Sequence, residues 1–162
     1  MTTFAQRIAI AAAAIAVIGT SAGCGEQMAE QIGGKIVDGQ VEIDDDSISI
    51  TDDEGNEFAA GGGATIPESW PADVPLFPSG DLALATSQSD GTATALWETQ
   101  SPVNEAADGY DAVLREQGFT LDQDSTIAGA VVRAYTGELH AVNLTLARID
   151  GMTNVTVAVV PR

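Results

Sequence analysis

The run SPVNEAADGYDAVLREQG, residues 101–118, is the one long amphipathic stretch in a chain of 162 residues. Val103, Ala106, Ala107, Tyr110, Val113 and Leu114 recur at intervals of three and four, so they share one face of a helix. Ser101 is placed to cap it, Pro102 suits a first helical position where its missing N–H has no intrahelical partner, and Gly118 ends it. Asp111 and Arg115 fall four apart on the wet face, which Glu105, Asp108 and Glu116 keep acidic. Gly109 weakens the helix by up to about 1 kcal/mol unless it gives a strand room to approach.

On both sides of this helix the apolar period drops to two. Leu82 and Leu84 lead to a turn at Ser89-Asp90-Gly91, and Ala93, Ala95 and Trp97 alternate back, which predicts a hairpin. After the helix, Phe119 to Leu121 reads as a short strand and Asp122 to Ser125 as a turn. Val131 to Tyr135, Leu139 to Ile149 and Thr153 to Val160 then read as three strands, joined at Thr136-Gly137-Glu138 and Asp150-Gly151. Val155, Val157 and Val159 lie on one face of the last strand and Thr156, Ala158 and Val160 on the other, so it is expected to be central or covered on both sides. The order ββαββββ predicts an α+β domain over residues 81–162, an antiparallel sheet with one helix packed across it.

Upstream, Val41 and Ile43, then Ile48 and Ile50, then Phe58 alternate between the polar runs Asp44-Asp45-Asp46 and Asp52-Asp53-Glu54-Gly55-Asn56. This predicts a three-stranded meander with one apolar face, preceded by a short helix over Glu26–Gln31 that Gly33-Gly34 ends; together they make a module over residues 24–62. Gly61-Gly62-Gly63 then opens a strap over residues 63–80, whose prolines (Pro67, Pro71, Pro75, Pro78) fix φ and remove donors, so it should run extended with Trp70, Val74, Leu76 and Phe77 packed on a surface.

The first 25 residues bear on location. Arg7 precedes eleven uninterrupted apolar residues, Ile8 to Ile18, too few for the roughly 20 that span a bilayer as a helix. Small residues follow, the pattern of an export signal over residues 1–23. Ser21-Ala22-Gly23-Cys24 resembles the lipobox of bacterial lipoproteins, with Ser21 standing where an aliphatic residue is commoner. The resemblance implies cleavage before Cys24, a thioether-linked diacylglycerol on that residue, and residence on the extracytoplasmic face of the cell membrane. Cys24 is the only cysteine, so no intramolecular disulfide can form. Gly19-Thr20-Ser21-Ala22-Gly23 also matches the G-x-S-x-G elbow of serine hydrolases, but it lacks the strand before and helix after that the elbow needs.

A second resemblance covers residues 26–82. Gly33-Gly34-Lys35, Val37-Asp38, Val41-Glu42-Ile43-Asp44 and the run IPESWPADVPLFPSG, residues 66–80, look like a group of bacterial envelope lipoproteins sharing a GGKVDID…LPxxFPxDVPxxPG run ahead of a small α+β domain. Trp70 stands where that group has Phe and Ile66 where it has Leu. The resemblance implies a fold and an envelope location, and brings no activity.

Composition narrows the function. The net charge is −18; loss of residues 1–23 takes Arg7 away and leaves five basic against 24 acidic side chains, a net −19. Such a field repels phosphate backbones, so nucleic acid is not an expected partner, and contact with anionic lipid would rest on the acyl anchor. The best metal candidates are the two acidic turns, Asp44, Asp45 and Asp46 with Asp52, Asp53 and Glu54, because calcium takes six to eight oxygens; neither turn follows EF-hand spacing, and acidic residues are also ordinary turn formers. His140, the only histidine, falls in phase with Val142, Leu144 and Leu146 near a strand end and reads as a packed or edge residue. No P-loop, dinucleotide fingerprint or histidine cluster is present. The expectation is a lipid-anchored, non-catalytic binding module for an envelope protein or a small ligand, with no cofactor. The alternatives are a calcium-responsive envelope module and an envelope hydrolase working through a carboxylate pair.

Overall fold

A computed structural model describes residues 39–44 and 46–162. The export signal, the lipobox with Cys24, the helix over Glu26–Gln31 and Asp45 lie outside the described residues. In chain order the described elements are β1 (Gly39–Ile43), β2 (Ser47–Asp52), β3 (Glu57–Gly61), β4 (Asp81–Ser87), β5 (Ala93–Thr99), α1 (Val103–Glu116), β6 (Thr120–Ile127), β7 (Ala130–Thr136), β8 (His140–Ile149) and β9 (Met152–Pro161).

All nine strands join one antiparallel sheet in the order β1-β2-β3-β4-β5-β9-β8-β7-β6. The fold is therefore broadly α+β and mostly β. The expected ββαββββ sheet beside a separate meander does not describe it. β3 pairs with β4 from Glu57↔Ser87 to Ala60↔Leu84, so the meander continues the same sheet. The exposed edge that β4 would otherwise present is thereby paired. β9 enters between β5 and β8, which makes the chain's last strand central. Four antiparallel steps separate β5 from β6, so these two run parallel, and α1 carries the chain back between them while contacting β6, β7 and β8.

The core lies on the face that α1 covers. Val155, Val157 and Val159 are fully buried there with Val142, Leu144 and Leu146 from β8, beneath Ala106, Ala107, Tyr110 and Leu114 of the helix. Ser101 does not cap α1: no side-chain cap bond forms, and the Ser101 carbonyl instead accepts the Thr153 hydroxyl at 2.7 Å. Gly118 does end it, at φ 89°. The Phe119 amide bonds the Leu114 carbonyl and the Gly118 amide bonds that of Arg115, a Schellman closure that seats Phe119 in the core.

One further expectation fails after the helix. Asp122 to Ser125 is not a turn but the middle of β6, with a register shift between Leu121 and Gln123; an edge strand tolerates polar residues because one of its sides is solvated. The turn falls instead at Ala128-Gly129, with φ 51° and 86°, matching the Asp150-Gly151 turn at 51° and 88°. Positive φ at both central residues is the type I′ geometry that suits a twisted hairpin.

Residues 62–80 form no strand and fold over the core beside the helix. Pro67–Trp70 and Pro71–Val74 close successive turns, and the Trp70 indole N–H donates to the Val74 carbonyl at 3.0 Å. Trp70 meets Trp97 edge-on at 6.3 Å, and Phe77 lies 6.0 Å from Trp97 and 5.7 Å from Tyr110. The Tyr110 hydroxyl donates to the Pro75 carbonyl at 2.6 Å. Leu76, expected to pack, is 47% exposed, because alternation in so tight a run buries Phe77 and turns its neighbour outward.

Candidate functional site

The two acidic turns lie at opposite ends of the meander. Asp44 and Asp46 join β1 to β2, whereas Asp52, Asp53 and Glu54 begin the β2–β3 turn; the six residues of β2 hold the two groups roughly 17 Å apart, so they cannot share one ion. Asp52 is taken up by its own turn. Its Oδ1 accepts the Glu54 and Asn56 amides at 2.9 Å each and its Oδ2 the Asn56 side-chain amide at 2.8 Å. The bonds from Asn56 hold its carboxyl below the usual carboxylate range. Among the described residues no three His, Cys, Asp or Glu side chains are gathered as a metal site.

His140 is half-buried, and its Nδ1 lies 2.8 and 3.0 Å from the two carboxylate oxygens of Asp73, 67 residues away. That pair fastens the strap to the start of β8. Under α1, Arg133 of β7 is nearly buried, bonds Asp108 through Nη2 at 2.8 Å and lies 3.2 Å from Asp124. Burial opposes its charge, but the two carboxylates outweigh burial and hold the guanidinium firmly protonated. Burial first, then the field of Asp111, pushes the neighbouring Tyr135 hydroxyl up to about 12. The Asp111–Arg115 pair expected along the helix is present at 2.7 Å. These groups tie α1 to β6 and β7 and spend their charge on one another.

A trough of about 410 Å³ opens on the helix side, between residues 65–68 of the strap and the helix-side positions of β1 to β3. Gln40, Glu42, Ser49, Thr51 and Glu57 line its floor, and the Ser69 amide and hydroxyl donate to Glu57 at its wall. It is a mixed hydroxyl and carboxylate surface.

The opposite face of the sheet has a different chemistry. Pairing registers carry one row across all nine strands: Ile43, Ile48, Ala60, Leu84, Leu96, Thr156, Thr145, Val132 and Ser125. The next row runs Val41, Ile50, Phe58, Thr86, Thr94, Ala158, Asn143, Ala134 and Gln123. None of these residues is fully buried, and α1 and the strap pack against the other face. None is charged. With 19% of the chain charged, eighteen solvent-facing positions would carry at least about three charges even at the chain average. The flanking positions Thr136, Ala141 and Val160, and Ala130, Ala147 and Asn154, are uncharged over β7 to β9, and beyond Asn154 the row ends in the exposed carboxylates of Glu98 and Asp81 on β5 and β4. Aliphatic and aromatic side chains hold the β1–β5 half, and threonine, alanine and asparagine the other.

The chain matches no family model, no curated protein and no solved structure. The alternation of Val41, Ile43, Ile48, Ile50 and Phe58 announces an apolar face on the meander, but not that this face turns away from α1 and the strap. The signal for it was the unbroken absence of charge at every second position of β8 and β9.

Proposed function

We propose that this chain is a lipid-anchored extracytoplasmic protein, held to the cell membrane by a diacylglycerol on Cys24, whose domain is a non-catalytic binding module. One observation carries the binding part of this reading, the uncharged face spanning all nine strands of a strongly acidic protein. Charges on a solvent-facing sheet cost little and keep its edges and faces from associating, so a face without any is suited to being covered. The lipobox resemblance and the single cysteine support the anchor, since two acyl chains at about 0.8 kcal/mol per buried methylene hold a protein stably on a bilayer.

Two measurements test the two halves. Cys24→Ala should send the protein from the detergent phase to the aqueous phase of a detergent partition; continued partition with detergent contradicts the anchor. Chemical cross-linking in intact membranes should give a higher-mass adduct that Leu96→Glu removes and Leu76→Glu leaves. Equal adducts from both variants contradict the binding face.

A further inference from the structure

We infer that the uncharged sheet face binds a second copy of this chain, the two sheets packing face to face. The inference rests on the reading of that face as a binding surface and names its occupant. Neither of the two central rows offers a charged side chain, so any charge that a partner buried against it would be left unpaired, which is strongly unfavourable. The occupant must therefore present an uncharged surface of matching length. Nine strands at about 4.8 Å spacing make the strip roughly 38 Å long. With its flanking positions it covers about 700 Å², close to the roughly 800 Å² per partner of a standard stable interface. Among the described residues one surface has that length and chemistry, and it is the face itself. A two-fold axis makes such a contact self-complementary and closed.

The geometry fits known sheet packing. Two twisted sheets stack about 10 Å apart with their inner side chains interdigitated, and the half-buried Ile50, Phe58, Leu84 and Leu96 are the side chains to fill that layer. The rest of each copy stays acidic, so the dimer carries its like charges around the rim of the contact. Its association should therefore tighten as salt screens them, by about tenfold between 50 and 500 mM sodium chloride. A basic partner would show the opposite sign.

The test is sedimentation equilibrium of the processed chain carrying Cys24→Ser, which removes acyl-driven association, with and without Leu84→Glu. The expected result is a dimer at micromolar concentration, tighter in high salt, that Leu84→Glu turns into a folded monomer with an unchanged far-ultraviolet spectrum. Because Cys24→Ser leaves no other cysteine, Ala60→Cys on the face and Ala112→Cys on the exposed side of α1 give a second readout. Oxidation should link copies through Cys at 60 far faster than at 112. A monomer at every concentration overturns the inference. If the membrane adduct of the intact protein is then still lost with Leu96→Glu, another protein occupies the face and the binding reading survives. If Leu84→Glu instead lowers the melting temperature of a monomer, a segment of the same chain covers the face, and both readings fall.

Discussion

Gly109 sits on the exposed side of α1 with open space where a Cβ would go, so no strand needs it small. Gly109→Ala should stabilise the protein by about 0.5–1 kcal/mol, raising the melting temperature by roughly 2–4 °C in a calorimetric scan. Gly137 is the opposite case: its Cβ would lie 2.5 Å from the Phe119 ring, and Gly137→Ala should cost about 1–3 kcal/mol in a denaturant titration. Asp52 gives a pH signature. Its carboxyl is held below 3.8 in the folded turn, so the stability it supplies is present above the ordinary carboxylate range and lost as pH falls through the lowered value. The difference in melting temperature between the wild type and Asp52→Ala should hold at neutral pH and shrink in acid. The two tyrosines act at the other extreme. Burial raises both hydroxyls, Tyr135 to about 12 and Tyr110 further, so their contribution is complete below the usual value of 10 and lost as pH rises through the folded values. Phenolate absorbance should therefore appear late and together with alkaline unfolding.

At the scale of elements, the strap is part of the core although it forms no strand. Phe77 is buried between Trp97 and Tyr110, and Phe77→Ala should cost about 3–5 kcal/mol, whereas Leu76→Ala beside it should stay within about 0.5 kcal/mol, both read by urea unfolding. How far such features are legible in sequence depends on whether their cause is local. The helix shows in its own spacing, and the Asp150-Gly151 hairpin in residues that accept positive φ. Ala128-Gly129 hides because alanine at φ 51° carries no turn signal, and β6 hides because an edge strand can be as polar as a turn. Arg133 falls in phase with the buried Val131 and Tyr135, which places it inside, but its partners Asp108 and Asp124 come from other elements. The His140–Asp73 pair spans 67 residues and has no local signature at all.

For the whole molecule, a period of two shows that the meander has an apolar face but cannot say which side of the sheet it joins. That choice follows from β3 pairing with β4, a contact between regions that the sequence separates by a proline strap. It leaves α1 and the strap on one face and the uncharged rows on the other, and this asymmetry is the centre of the account. Hydroxyl-radical footprinting of the protein in its own membranes, compared with the purified chain at high dilution, tests it most directly. Phe58, Leu84 and Leu96 should be protected in membranes, while Leu76 and Leu139 on other surfaces label equally in both. Equal labelling of all five would mean that the uncharged face stays open to water, and would contradict the account.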